Sequence, residues 1–322
     1  MMRSLSLSLV AAVLLGVGVT NAQTTPCASL NDSNTNVANF ISSRNLSRPN
    51  SWGWRYVPAA TQIARGLRIF TNNSFTTGFM QLEIWDEDTT TMMPGKRIAT
   101  GTFYAPKSAT ADWVGTNFDK QVLMQNGKSY WFVWVEIGWA TFPTEPGGTS
   151  MPAAAVWNGT AWQTATTDQL KFRLYCSMID TKGAAAFGTP CAGASGSIGT
   201  AFTNLTPNIG NADYRIEGTG LPSGAPTAII LGAIANFPSV PFGGVAPGCS
   251  LNTDIVVTIG AATGMGDVRA SAAAGHLFLP LGIPNNPSLV GAYIGVQFAT
   301  FDAQSANALK YVFTNAVRTT VY

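Results

Sequence analysis

Few residues in this 322-residue chain are equipped for chemistry. One histidine, His276, sits in AAGHLFLPLG, so a Ser-His-Asp or Cys-His arrangement would have to use that ring. A lone imidazole in an apolar strand reads as a packed residue. GASGS (193–197) misses the GxSxG spacing of a nucleophile elbow by one position. One imidazole cannot build a histidine zinc site, and carboxylates alone make poor ones. Glycoside hydrolysis needs only two carboxylates. The acids of the Trp-rich half (Glu83, Asp86, Glu87, Asp88, Asp112, Asp119, Glu136 and Glu145) show no spacing that pairs them, and Glu83 is expected to face solvent. No catalytic residue is assigned; a hydrolase ranks third among the readings. Asp86 and Asp88 offer hard oxygen ligands for a structural Ca²⁺ but lack the spacing and turn glycine of an EF-hand. A solvated acidic turn is the alternative.

The tryptophans carry a stronger signal. SYWFVWVEIGW (129–139) holds five aromatic rings in eleven positions. Alternate side chains of a strand face opposite ways, so Trp131, Val133, Val135, Ile137 and Trp139 share the side expected to be core. Tyr130, Phe132, Trp134 and Glu136 share the other, which is either a platform for a stacked sugar or a face covered by the loop 141–157. Glu136, with Trp134 and Trp139 nearby, is the best candidate for a ligand-facing acid. VWNGTAWQT places Trp157 and Trp162 beside an Asn158-Gly159 turn. Aromatic faces stack on sugar C–H groups while a polar neighbour such as Asn158 fixes orientation. The ligand-binding set is therefore Trp134, Glu136, Trp139, Trp157, Asn158 and Trp162.

These residues need strands to hold them. RGLRIFTN (65–72), GFMQLEIWD (78–86), MMPGKRIATGTFY (92–104), KQVLMQNGKSYWFVWVEIG (120–138) and QLKFRLYC (169–176) alternate or run apolar between turn signals, Asn126-Gly127 being the clearest hairpin. Similar strands recur at 212–220, 227–234, 252–260, 274–283, 290–302 and 310–322. No segment keeps a helical period for three turns. An all-β fold follows, two β-sandwiches in tandem.

Composition divides the chain. All nine tryptophans lie between Trp52 and Trp162, and eleven of the 16 acids precede residue 181. A first domain is expected at 23–180, a small-residue linker at 181–186 and a Gly/Ala-rich sandwich at 187–322. Arg3, the apolar stretch Leu5 to Val19 and the small residues up to Ala22 have the layout of a signal peptide, 1–22. An even set of four cysteines in an exported chain reads as two disulfides with three possible connectivities. The domain boundary favours Cys27–Cys176 and Cys191–Cys249. Only 11% of residues are charged, the formal net charge is +2, and no basic run offers a footprint for nucleic acid or anionic membrane.

Residues 65–176 resemble a family of exported bacterial β-sandwich modules, jelly-roll in type, found beside glycoside hydrolases and in surface-anchored proteins with choice-of-anchor tails. The resemblance rests on IARGLRIF, MQLEIWDEDTTTMMPGKRIATGTF, FDKQVLMQNGKSYWFVWV and AAAVWNGTAWQTATTDQLKFRLYC. FGTPCAGASG, GTGLPSGAPTAIILG, GCSL, LFLPLGIPNNPSLVGAYIGVQFATFD and FTNAVRTTVY make 187–322 similar to modules of exported planctomycete proteins. The first resemblance implies a jelly-roll and export, the second fold and export without an activity. The expectation is an exported, non-catalytic binding protein, with a polysaccharide or glycan as partner. The competing class is a structural or adhesive surface protein that associates with other chains, favoured by an exposed Val/Ile edge strand in the second half.

Overall fold

The structure is a computed structural model describing residues 26–30, 39–41, 51–73, 78–105, 108–136, 142–144, 152–165, 170–264 and 274–322. The signal-peptide segment 1–22 and Trp139 lie outside these residues.

Twelve strands build the first half: β1 Ala28–Leu30, β2 Asn39–Ile41, β3 Ser51–Tyr56, β4 Gln62–Asn73, β5 Gly78–Asp88, β6 Met93–Ala105, β7 Ser108–Met124, β8 Tyr130–Glu136, β9 Phe142–Thr144, β10 Ala154–Trp157, β11 Trp162–Ala165 and β12 Phe172–Tyr175. Ten of them form two antiparallel sheets, ordered β1-β12-β4-β7 and β11-β10-β3-β8-β5-β6, while β2 pairs with β9. The chain crosses between sheets at β3-β4-β5 and again at β6-β7-β8, so strands distant in sequence become neighbours. Between the sheets Leu67, Ile69, Leu82, Ile84, Phe132, Phe172 and Leu174 form one apolar layer. On the other face of β7, opposite Arg68, Gly115 is required: a Cβ would collide with the Leu67 carbonyl oxygen.

The second half contains β13 Ala184–Phe187, β14 Thr200–Phe202, β15 Arg215–Thr219, β16 Pro226–Gly232, β17 Val240–Pro241, β18 Ser250–Leu251, β19 Val257–Ala262, β20 Leu277–Pro280, β21 Tyr293–Phe301 and β22 Tyr311–Thr320. A five-stranded sheet, β13-β22-β21-β16-β19, packs on a three-stranded one, β14-β15-β20. Ile216, Ile229, Leu279, Val296 and Phe298 fill the space between them. The all-β, two-sandwich expectation holds.

Residues 184–186, expected within a linker, instead begin β13, which pairs with β22 at the sheet edge. Their small side chains suit a strand as well as a connection. The two halves also dock closely. Phe202 is buried in the core of the first domain. The Arg68 guanidinium donates to the Thr203 carbonyl at 2.9 Å, and the Tyr104 amide donates to Glu217 at 2.7 Å. Cys27–Cys176 ties the first strand of domain one to its last, and Cys191–Cys249 lies wholly in domain two, the pairing that the domain boundary favoured.

Candidate functional site

Strand β8 lies between β3 and β5 and is buried on both faces: the side expected to be core is core, and the side left open between platform and cover meets the second sheet. Tyr130, Phe132 and Trp134 point into the space between the sheets, where Phe132 stacks on Tyr56 at 4.9 Å and meets Phe172 edge-on at 5.0 Å. Trp134 is 3% exposed and presents no face to a ligand, which removes it from the candidate set. Trp131 and Val133 point outward, yet both are fully buried in a smaller cluster with Ala155, roofed by Trp85, Met93 and Trp162. Period-two alternation assigns sides but not which side meets the second sheet, and here both sides are apolar. Glu136 pairs in register with Met80; its side chain, like Trp139, lies outside the described residues.

The outer cluster is built by a hairpin. β10 and β11 pair so that Trp157 stands opposite Trp162, with ring centroids 5.6 Å apart and ring planes inclined at 62°. Gly159, at φ 101°, takes the left-handed conformation of the turn. Trp162 then meets Trp85 edge-on at 5.8 Å. Asn158 is exposed, but its carbonyl oxygen accepts from the amides of Thr160 and Ala161 at 2.9 and 3.0 Å, so the turn itself uses that group. Trp85 was missed as a member of this set, although its position two residues after Glu83 in MQLEIWD puts it on the outer face. Glu83 was expected in solvent and is 2% exposed. It accepts from Gln81, from the Trp85 indole N–H at 2.6 Å and from Arg97 at 3.0 Å, a network that makes a carboxylate tolerable beneath indoles. Glu87 plays the same part for Arg55 and the Trp131 indole. Edge-to-face rings with their polar neighbours already engaged form a packed cap, with Trp157 and Trp162 half-buried.

Asp86 and Asp88 serve their hairpin. Asp86 accepts from the Lys96 amide and Asp88 from the Thr90 amide at 2.8 Å, which holds the Asp88 carboxyl below its usual value. Among the described residues no group of three or more His, Cys, Asp or Glu side chains is placed to hold a metal. His276 is 1% exposed, packs edge-on against Phe79 at 5.0 Å and pairs through Nε2 with Glu217 at 2.9 Å, at the junction of the domains.

The exposed apolar surface lies elsewhere. Among the described residues four large apolar side chains of domain one are exposed (Val57, Ile63, Met92, Leu123), against ten of domain two. Four of those ten are consecutive or nearly so: Ile255, Val256, Val257 and Ile259, exposed by 62, 61, 47 and 40%. They enter and build β19, which pairs with β16 on one side and ends the sheet on the other. Val257 and Ile259 stand opposite Leu231 and Ile229 of β16 and stay exposed although Ile229 is core. From Ile255 to Ala262 there is no charged residue and no proline.

A scan against protein-family models finds no match to this chain, and a search of the curated proteins finds none.

Proposed function

We propose that this is an exported structural protein whose second domain joins copies of the chain along β19. The observation that carries this reading is the apolar, uncharged edge of Ile255 to Ile259. Natural sheets block such edges with lysine, proline, bulges or very short strands because unpaired N–H and C=O groups recruit another strand. Antiparallel pairing of β19 with its own copy about a twofold axis needs only one surface and brings no like charges together. The two disulfides and the signal-peptide layout support an oxidising, extracellular setting. Sedimentation velocity on residues 23–322 tests the reading. A dimer that forms with rising concentration is expected, and Val257→Lys should abolish it. A wild-type chain that stays monomeric throughout would overturn it.

A second reading, glycan binding, keeps one supporting observation: Trp85, Trp157 and Trp162 gather at one end of the outer face beside an exposed Asn158. A saturable shift in Trp emission with one polysaccharide, lost in Trp157→Ala, is its expected signature. A flat response across a panel of soluble polysaccharides would end it.

A further inference from the structure

A second feature, independent of β19, lies where the domains meet. In the β4–β7 ladder Ala64 faces Val122 and Gly66 faces Asn117. One residue, Arg65, therefore stands opposite four, Phe118 to Gln121, and β7 bulges outward. Such bulges re-aim side chains beside functional sites. The bulge is pinned to domain two, since the Ile198 amide donates to the Asp119 carbonyl at 2.8 Å. The Asp119 carboxylate is engaged by the Thr100 amide at 2.9 Å and lines a neighbouring cleft.

What remains is a small cleft of about 100 Å³ bearing Arg65 and Lys120, with Met178 and Ile198 among its apolar walls and Asn117 and Thr200 in its lining. No carboxylate lines it, and among the described residues neither Arg65 nor Lys120 has an ion-pair partner. Asn117 and Thr200 are 1 and 5% exposed, and the Asn117 Nδ2 and Thr200 Oγ1 atoms have no hydrogen-bond partner. The Asn117 orientation is fixed, because its Oδ1 accepts from the Ile179 amide at 3.2 Å. Arg65, Lys120 and the free Asn117 N–H can only donate, and the Thr200 hydroxyl can donate as well. Buried donors are ordinarily satisfied, so an acceptor-only ligand is the missing complement.

We infer that this cleft binds a small organic carboxylate carried on a partly apolar body. The carboxylate lies toward Arg65 and Lys120, and the body rests on Met178 and Ile198. The site needs both domains, since Thr200 and Ile198 come from the second and the cations from the first.

Calorimetric titration of residues 23–322, with both disulfides formed, tests this. The probes are benzoate and glucuronate, with methyl glucoside as a neutral control and inorganic phosphate as an anion without a body. Saturable binding of at least one carboxylate is expected. Arg65→Gln should weaken it by about tenfold, the scale of one charge-assisted hydrogen bond. Thr200→Val, nearly isosteric, should weaken it by a smaller factor while leaving the thermal transition in place. Three outcomes would overturn the proposal: no heat from either carboxylate, affinity unchanged in Arg65→Gln, or phosphate matching the best carboxylate.

Discussion

β8 and β19 are built from similar material, β-branched and aromatic in one and β-branched in the other, and they end in opposite environments. β8 is central and covered on both faces, so Trp131 and Val133 are fully buried although they point away from the second sheet. β19 is terminal and open on both, so Val257 and Ile259 stay exposed although they face the same way as the core residue Ile229. Burial is set by a strand's place in the sheet and by what roofs it, not by its own side chains. The lesson extends to whole domains. The first hides its large rings under hairpins, while the second leaves its aliphatic edge bare.

The contrast can be broken from the buried end first. Trp131→Ala should cost about 3–5 kcal/mol, the range for removing a large buried ring, and lower the urea midpoint of domain one accordingly. A loss below about 1 kcal/mol would mean that the outer cluster is surface decoration, since surface substitutions sit at that level.

Domain two offers a pH probe of intermediate size. The Tyr214 hydroxyl meets Thr319 Oγ1 at 2.7 Å, and burial pushes its pKa up to about 12 from the ordinary value of 10. A folded value above the unfolded one means that the fold holds the proton more tightly. The corresponding stability is intact below pH 10 and lost as pH rises toward 12, by about 2–3 kcal/mol. Tyr214→Phe removes that loss, so wild type and variant should converge between pH 10 and 12 in urea titrations followed by far-ultraviolet dichroism. Every tryptophan lies in domain one. Parallel indole emission therefore reports whether the first sandwich outlasts the second or falls with it.

The smallest effect on stability belongs to the exposed edge. Val257→Lys should move the folding free energy by about 0.5 kcal/mol or less, as an exposed substitution does, while removing self-association. A large destabilisation would show that β19 is covered after all.

The sequence made the strands and the all-β class readable, because turns and alternation are local signals; among three possible disulfide connectivities, only the compositional boundary favoured the one observed. Its silence begins where the third dimension decides. MQLEIWD shows that Glu83 and Trp85 share a side, but not that Trp162, arriving from 77 positions later, roofs that side beside Trp85. NTDIVVTIG announces a strand without saying that it comes last in its sheet. The 181–186 stretch is small and plain enough for a linker, and only the register with β22 makes its second half a strand. The cleft around Arg65 was invisible for the same reason, since Arg65, the Asn117–Lys120 stretch and Thr200 come from three segments some 50 to 135 positions apart in the chain.

The bridge from Cys27 to Cys176 has a mechanical consequence. A pulling load that enters ahead of Cys27 passes straight through the sulfurs to Cys176 and on toward domain two. The sandwich between them hangs as a slack loop outside the load path. The separation of 149 residues corresponds to about 500 Å of contour that stretching cannot release until the disulfide is reduced. Under tension applied through both ends of the chain, the first domain would keep its shape, and thiol reductants would decide when it can yield.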